Sequence, residues 1–147
     1  MENNEYKTKS IIIASGCKNR KLDLPNEEEL MLLGGVDCQQ GADKLLEYGA
    51  GCVVVKRGAN GCNVYTSQES FTVIPYKVDK AVDTTGAGDS FVAGFIYGLL
   101  NGYSLKECAC FANATASCSV EHVGATDGIK SIDEPKRRYE ILKGENL

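Results

Sequence analysis

The 147-residue sequence predicts an α/β domain with helices packed on a mostly parallel sheet that includes a hairpin, and three observations carry that prediction. The first is a pair of short β-branched runs, Ile11-Ile12-Ile13 and Val53-Val54-Val55, of the kind found in strands covered on both faces. The second is that segments with apolar residues at helical spacing alternate with such runs. The third is the stretch from Ala81 to Leu100, where extended chain passes through a two-glycine turn straight into a helix.

Composition narrows the function classes. At 43% hydrophobic and 24% charged the chain reads as one globular domain of ordinary type. Sixteen basic residues against 20 acidic ones give a net charge of −4, which argues against nucleic acid as a general partner because no basic excess offsets phosphate repulsion. No apolar run reaches the length of a membrane-spanning helix, so no membrane partner is expected. Cysteines at 17, 38, 52, 62, 108, 110 and 118 include no Cys-x-x-Cys pair, and His122 is the one histidine, so a zinc site is not expected. The start, Met1-Glu2-Asn3-Asn4-Glu5, is polar and acidic, unlike a signal peptide; the expectation is a cytoplasmic protein with reduced thiols. In that compartment the Asn113-Ala114-Thr115 sequon is a chance match.

Residues 1–22 carry the weakest pattern. Within them Ser10–Ala14 reads as a buried parallel strand ended by Ser15-Gly16, and Lys18-Asn19-Arg20-Lys21 as a solvated loop. Pro25-Asn26-Glu27-Glu28-Glu29 opens a helix to about Leu33, with Asn26 as N-cap and Glu29 completing a capping box. From Gln39 or Gln40 to Tyr48 an amphipathic helix carries Ala42, Leu45 and Leu46 and stops at Gly49. Gly49-Ala50-Gly51 follows a helix and lacks a third glycine, so it reads as a cap and not as a dinucleotide loop. Cys52–Lys56 and Cys62–Thr66 are two strands joined by the turn Gly58-Ala59-Asn60-Gly61, and Ser70–Pro75 is a third that ends at its proline.

The helix after the two-glycine turn carries Phe91, Val92, Phe95, Ile96, Leu99 and Leu100 at helical spacing. Gly94 and Gly98 within it cost helix propensity, which implies a close packing contact. Asn101-Gly102 ends it. Ser104 and Glu107 form a capping box for a helix rich in small residues, Ala109, Ala112, Ala114, Ala116 and Cys118, and Pro135–Leu142 is expected to pack as a terminal helix.

The turn itself, Asp83-Thr84-Thr85-Gly86-Ala87-Gly88-Asp89-Ser90-Phe91, suits an anion. A helix N-terminus has amides without partners and the positive end of a dipole, and Gly86 and Gly88 let a ligand reach the backbone. Asp89 would repel a bound phosphate, yet beside it could take a proton from an attacking hydroxyl; an aspartate in a first helical turn is also common simply because it complements the dipole. The absence of Gly-x-x-x-x-Gly-Lys-Ser/Thr excludes a Walker-type loop.

The string from Asp83 to Phe91 resembles the C-terminal signature of the ribokinase-like (PfkB) carbohydrate kinases, Asp-Thr-x-Gly-Ala-Gly-Asp. The resemblance extends over roughly Leu24 to Leu142 and is most specific at Asp83–Asp89. It implies a ribokinase-like (Rossmann-like) three-layer sandwich and ATP-dependent phosphoryl transfer to a sugar or sugar-like alcohol. Asp89 becomes the catalytic base, and Gly86, Ala87 and Gly88 the anion hole. Lys56, Gly58 and Gly61 fall in a Lys-x-Gly-x-x-Gly motif that lies along the nucleotide, with Gly61 more structural, and Asn113 falls against the adenine. Asn26 and Glu29 match an Asn-x-x-Glu motif near the phosphates, where Glu29 meets Mg2+ through water. Asp83, Thr85 and the loop around Gly124 are where related kinases collect a monovalent cation, usually K+.

Kinases of this type are considerably longer and carry upstream a Gly-Gly signature, a sugar-binding aspartate and a lid that this sequence lacks. Residues 1–147 are therefore expected to form a single partial domain, the C-terminal nucleotide-binding half. Two readings follow: a sugar kinase binding ATP, Mg2+ and a small-molecule sugar, or a catalytically incompetent nucleotide-binding fragment of one. An exposed sheet edge would favour a homo-oligomer.

Overall fold

The computed structural model describes residues 11–14, by their backbone, and residues 37–146; the expected helix with Asn26 and Glu29 lies outside the described residues. Four strands, β1 (Ile11–Ala14), β2 (Cys52–Lys56), β3 (Cys62–Tyr65) and β4 (Ser70–Val73), lie in the sheet in that order. β1 and β2 are parallel, with Ile11 opposite Cys52. β2–β3 and β3–β4 are antiparallel, with Lys56 opposite Cys62 and Tyr65 opposite Ser70. Among the described strands the expected parallel character is thus confined to β1–β2, and the hairpin continues into a three-stranded meander. Connection length explains this: the chain between β1 and β2 is long enough for a crossover, whereas the turns at 57–61 and 66–69 are too short for one.

Helix α1 (Cys38–Glu47) lies in the crossover and begins where Asp37 caps it, its carboxylate accepting the Gln40 amide at 2.9 Å. Gly49 follows at φ 100, the glycine stop that the sequence implied. Helices α2 (Ala87–Leu100), α3 (Leu105–Ser119) and α4 (Asp133–Asn146) complete the described elements.

Strand periodicity sorts these helices into layers. Val53 and Val55 pack with Ala42, Leu45 and Leu46 of α1 on one face of the sheet. Cys52, Val54, Val64 and Val73 pack on the other with Phe91 and Phe95 of α2, Phe111 of α3 and Leu142 of α4. β2 is covered on both faces, which is why its sequence is a continuous apolar run. The result is helix, sheet and helices, the three layers expected.

The α2–α3 contact accounts for Gly94 and Gly98. A Cβ on Gly94 would lie 2.6 Å from Thr115 Oγ1 and 3.0 Å from Ala112 Cα; one on Gly98 would lie 2.9 Å from Cys108 Sγ. Phe91, Gly94, Phe95 and Gly98 form the buried face, so Ile96 and Leu100, though on the same apolar period, are 46% and 82% exposed. The α3 capping box is present, with Ser104 N donating to Glu107 Oε2 at 3.0 Å and Glu107 N to Ser104 Oγ at 3.3 Å. Glu107 also meets Lys143 of α4 at 2.9 Å, and Lys143 and Ser104 hold its carboxyl at about 2.

Burial pushes the Cys62 thiol up to about 12 and those of Cys52, Cys108 and Cys110 to about 11, so these are neutral core groups at neutral pH. Among the described residues no three His, Cys, Asp or Glu side chains gather as metal ligands, and no helix is long and apolar enough to cross a membrane.

The helix contact gives a graded test. Gly94→Val should lower unfolding stability by about 1–3 kcal/mol, because the added methyls meet Thr115 and the α3 backbone. Gly144→Ala in α4, where an added Cβ meets nothing within 4 Å, should raise it by up to about 1 kcal/mol. Urea denaturation monitored by circular dichroism measures both.

Candidate functional site

A cleft of about 550 Å3 opens between the β2–β3 turn, the segment from Pro75 to Ala81, the start of α2 and the C-terminal half of α3. Six residues singled out in the sequence line it: Lys56, Gly58, Gly61, Ala87, Gly88 and Asn113. Pro75, Tyr76, Val78, Ala81, Phe91 and Val120 give it an apolar wall.

The start of α2 is shaped as the turn chemistry requires. Gly86 is the N-cap in the left-handed conformation, φ 74, and a Cβ there would lie 2.6 Å from the Ala125 Cβ; both facts require glycine. The Ala87 amide bonds back to Thr84 O at 3.2 Å and the Ser90 amide to Gly86 O at 2.8 Å. Between them, the amides of Gly88 and Asp89 meet no backbone acceptor among the described residues.

Lys56 adds a cation to the same place. It ends β2, is 7% exposed, and its Nζ lies 2.8 Å from where a Cβ on Gly88 would stand. Any side chain at position 88 would displace that ammonium. The helix dipole, two uncommitted amides and a buried ammonium converge on one spot, which is the electrostatic requirement for binding a phosphate.

Asp89 sits in the first turn of α2 and is solvent-exposed, beside the cleft and not in its lining. Gly58 and Gly61 both have positive φ, 53 and 82. A Cβ on Gly61 would strike the Val73 carbonyl, so Gly61 lets the β2–β3 turn lie against β4 as well as lining the cleft. Asn113, 7% exposed, donates its side-chain amide to Val73 O and Ile74 O at 3.4 and 3.3 Å, tying α3 to the end of β4 while facing the cleft.

Asp83, Thr85 and Gly124 are brought together, through hydrogen bonds. Asp83 Oδ1 accepts the Thr85 amide at 2.9 Å and Oδ2 accepts the Gly124 amide at 3.0 Å. Those donors hold the Asp83 carboxyl at about 2, below its ordinary value. Beside them the Val120 carbonyl accepts the amides of Val82 and Asp83 at 2.7 and 3.2 Å. Asn26 and Glu29 lie outside the described residues.

Sequence reasoning missed Tyr76, Ser117 and Arg138. Arg138 is 7% exposed; its Nε donates to Glu134 Oε1 at 2.8 Å, its Nη1 to Ser117 Oγ at 3.1 Å and its Nη2 to Glu121, and its guanidinium lies 4.8 Å from the Tyr76 ring centroid. One signal was available: Pro135, Arg138, Tyr139 and Leu142 share the spacing of a buried helix face, and an arginine on that face needs buried partners.

The Asp83 contacts predict a pH effect. A carboxyl whose folded value is depressed stabilises the fold above its ordinary value, and that contribution is lost as pH falls from about 4 through about 2. Exchange of the Gly124 and Thr85 amides should therefore accelerate selectively below pH 4, and Asp83→Asn, whose side chain keeps a single acceptor oxygen, should show faster exchange of one of the two amides already at neutral pH.

Residues 22–132 match the pfkB family of carbohydrate kinases. An uncharacterised sugar kinase of Archaeoglobus fulgidus is 40% identical over 117 residues, covering 79% of this chain and 46% of that protein. The structure of Arabidopsis thaliana ribokinase complexed with ribose and ATP superposes with a TM-score of 0.75 at 29% identity, over 89% of this chain and 41% of that one. Phosphofructokinase-2 of Escherichia coli in complex with potassium gives a TM-score of 0.72 at 26% identity, over 91% and 41%. This chain thus spans less than half the length of these relatives. The match over residues 22–132, with the ribokinase-like layers and the intact turn at Asp83–Asp89, makes the chain a member of the pfkB carbohydrate kinase family.

Proposed function

We propose that this chain supplies the nucleotide-binding and phosphoryl-transfer part of a kinase that moves the γ-phosphoryl of ATP to a hydroxyl of a sugar or sugar-like alcohol. The observation that carries the proposal is the convergence of the Gly88 and Asp89 amides with the Lys56 ammonium at the start of α2, next to an apolar cleft large enough for a nucleotide. The ATP bound in the Arabidopsis ribokinase structure supports the choice of nucleotide.

In this reading Lys56 and the amides at the Gly86-Ala87-Gly88 turn that stay uncommitted, those of Gly88 and Asp89, hold phosphate oxygens and take up the charge that develops during transfer, while the Ala87 amide, expected in the anion hole, is held by Thr84 O. Gly58 and Gly61 let the β2–β3 turn lie along the nucleotide, and Asn113 faces the base from α3. The exposed side chain of Asp89, whose own amide belongs to the anion site, takes the proton of the acceptor hydroxyl. Asn26 and Glu29, which lie outside the described residues, would meet Mg2+ as the family motif implies, Glu29 through water, and the ion would neutralise phosphate charge when bound. A monovalent cation such as K+ would use the remaining lone pairs of Asp83 near Thr85 and Gly124, and the potassium in the phosphofructokinase-2 structure supports that choice. The fitness of the described residues for these ions rests on the oxygen donors of Asp83 and on phosphate oxygens that a bound nucleotide brings.

A second reading is favoured by coverage: the chain spans 46% and 41% of the relatives above, and none of its described residues is assigned to a sugar. It would then bind nucleotide without catalysing transfer, since positioning of the acceptor supplies much of the rate.

Two substitutions test the roles. Lys56→Met should weaken Mg-ATP binding by about 10- to 100-fold, the equivalent of losing one charge-assisted hydrogen bond of about 1.5–3 kcal/mol. Asp89→Asn, in the full-length protein assayed for ADP release over a panel of sugars and nucleosides, should reduce turnover about 100- to 10,000-fold while leaving ATP affinity within about threefold. Retained turnover would remove Asp89 from the mechanism; absence of turnover from the unaltered protein with any acceptor would favour the second reading.

A further inference from the structure

We propose that Arg138 is a positioning residue of the cleft: it shapes the apolar wall and fixes the loop beneath the anion-binding turn without itself reaching the ligand. The proposal rests on the reading of the cleft as a nucleotide site. Arg138 does not line the cleft, but Tyr76 and Ser117, two residues it holds, do.

All three nitrogens and one face of the guanidinium are committed. Its edge donates to Glu134, Ser117 and Glu121, and its face covers the Tyr76 ring. Ser117 is thereby locked, since its hydroxyl accepts from Arg138 while donating to Ala114 O at 2.6 Å. Glu121 follows Val120, which lines the cleft and whose carbonyl accepts the amides of Val82 and Asp83. A path of direct contacts therefore runs from α4 through Arg138 and Glu121 to the residues that begin the turn, and a second runs through Tyr76 to the wall. Lysine keeps the charge but cannot offer three divergent donors and a stacking plane at once.

The same contacts predict what substitution does. Lys143 of α4 keeps Glu107 of α3 at 2.9 Å and Tyr139 and Leu142 stay in the core, so α4 remains anchored when Arg138 is changed, whereas Glu121 loses its buried ion-pair partner and the Tyr76 ring loses the plane that covers it, keeping Arg137.

The test uses the full chain, with Arg138→Lys, Tyr76→Leu and the double variant, in two arms. In the first, amide exchange without nucleotide should show Val82 and Asp83 exchanging about tenfold faster or more in Arg138→Lys, with Val54 and Val64 in the sheet unchanged, the pattern of local opening. In the second, the dissociation constant for Mg-ATP should rise about tenfold in each single variant and no further in the double, because both act through one wall. Exchange that rises equally across the sheet, or stays at the unaltered level, overturns the proposal, as does full additivity in the double variant. If the unaltered chain takes up no Mg-ATP, the nucleotide reading fails, and the exchange pattern alone upholds or overturns the role of Arg138.

Discussion

The start of α2 must keep backbone amides pointing at open space, and much of the surrounding structure serves that constraint. Uncommitted amides are costly and tend to be recaptured by the chain itself, so the turn has to be held from outside. Asp83 does this by accepting one amide from within the turn, Thr85, and one from across the cleft loop, Gly124. The Val120 carbonyl adds two more bonds to the entering chain. Gly86 turns the backbone where no side chain would fit against Ala125, and Ser90 closes the first helical bond. The Gly88 and Asp89 amides are what remains, and Lys56, delivered from the end of β2, faces the same point.

The framework behind the turn is rigid for reasons found in the core. Gly94 and Gly98 let α2 lie against α3, so that the position of the turn at the head of α2 is fixed by a helix pair and not by a loop. α3 in turn carries Asn113 to the carbonyls at the end of β4 and Ser117 to Arg138. One sheet and one helix pair thus place Lys56, the turn and Asn113 around a single cleft.

Much of this was legible in the sequence because it depends on local rules. The β-branched run at Val53–Val55, the glycine stop at Gly49, the capping box at Ser104 and Glu107, and the helix opening after Gly86 follow from strand periodicity and cap chemistry. Gly94 and Gly98 were readable as packing glycines because nothing in a helix favours them otherwise. Three features depended on long-range contacts and were not legible. The exposure of Ile96 and Leu100 follows from which side of α2 meets α3, and helical spacing alone does not select it. The use of Asp83 as a bridge depends on Gly124, 41 residues away. The Arg138 network joins residues from three parts of the chain, and it is what ties α4 to the cleft.

The central claim is that the head of α2 with Lys56 is a phosphate site. The most direct measurement is a titration of the 15N-labelled chain with Mg-ATP followed by amide chemical shifts. The account predicts that Gly88 and Asp89 shift most, that Gly58 and Asn113 follow with the same saturation, and that Lys56→Met suppresses all four changes. Saturable shifts that leave Gly88 and Asp89 unmoved while appearing elsewhere on the surface would contradict it.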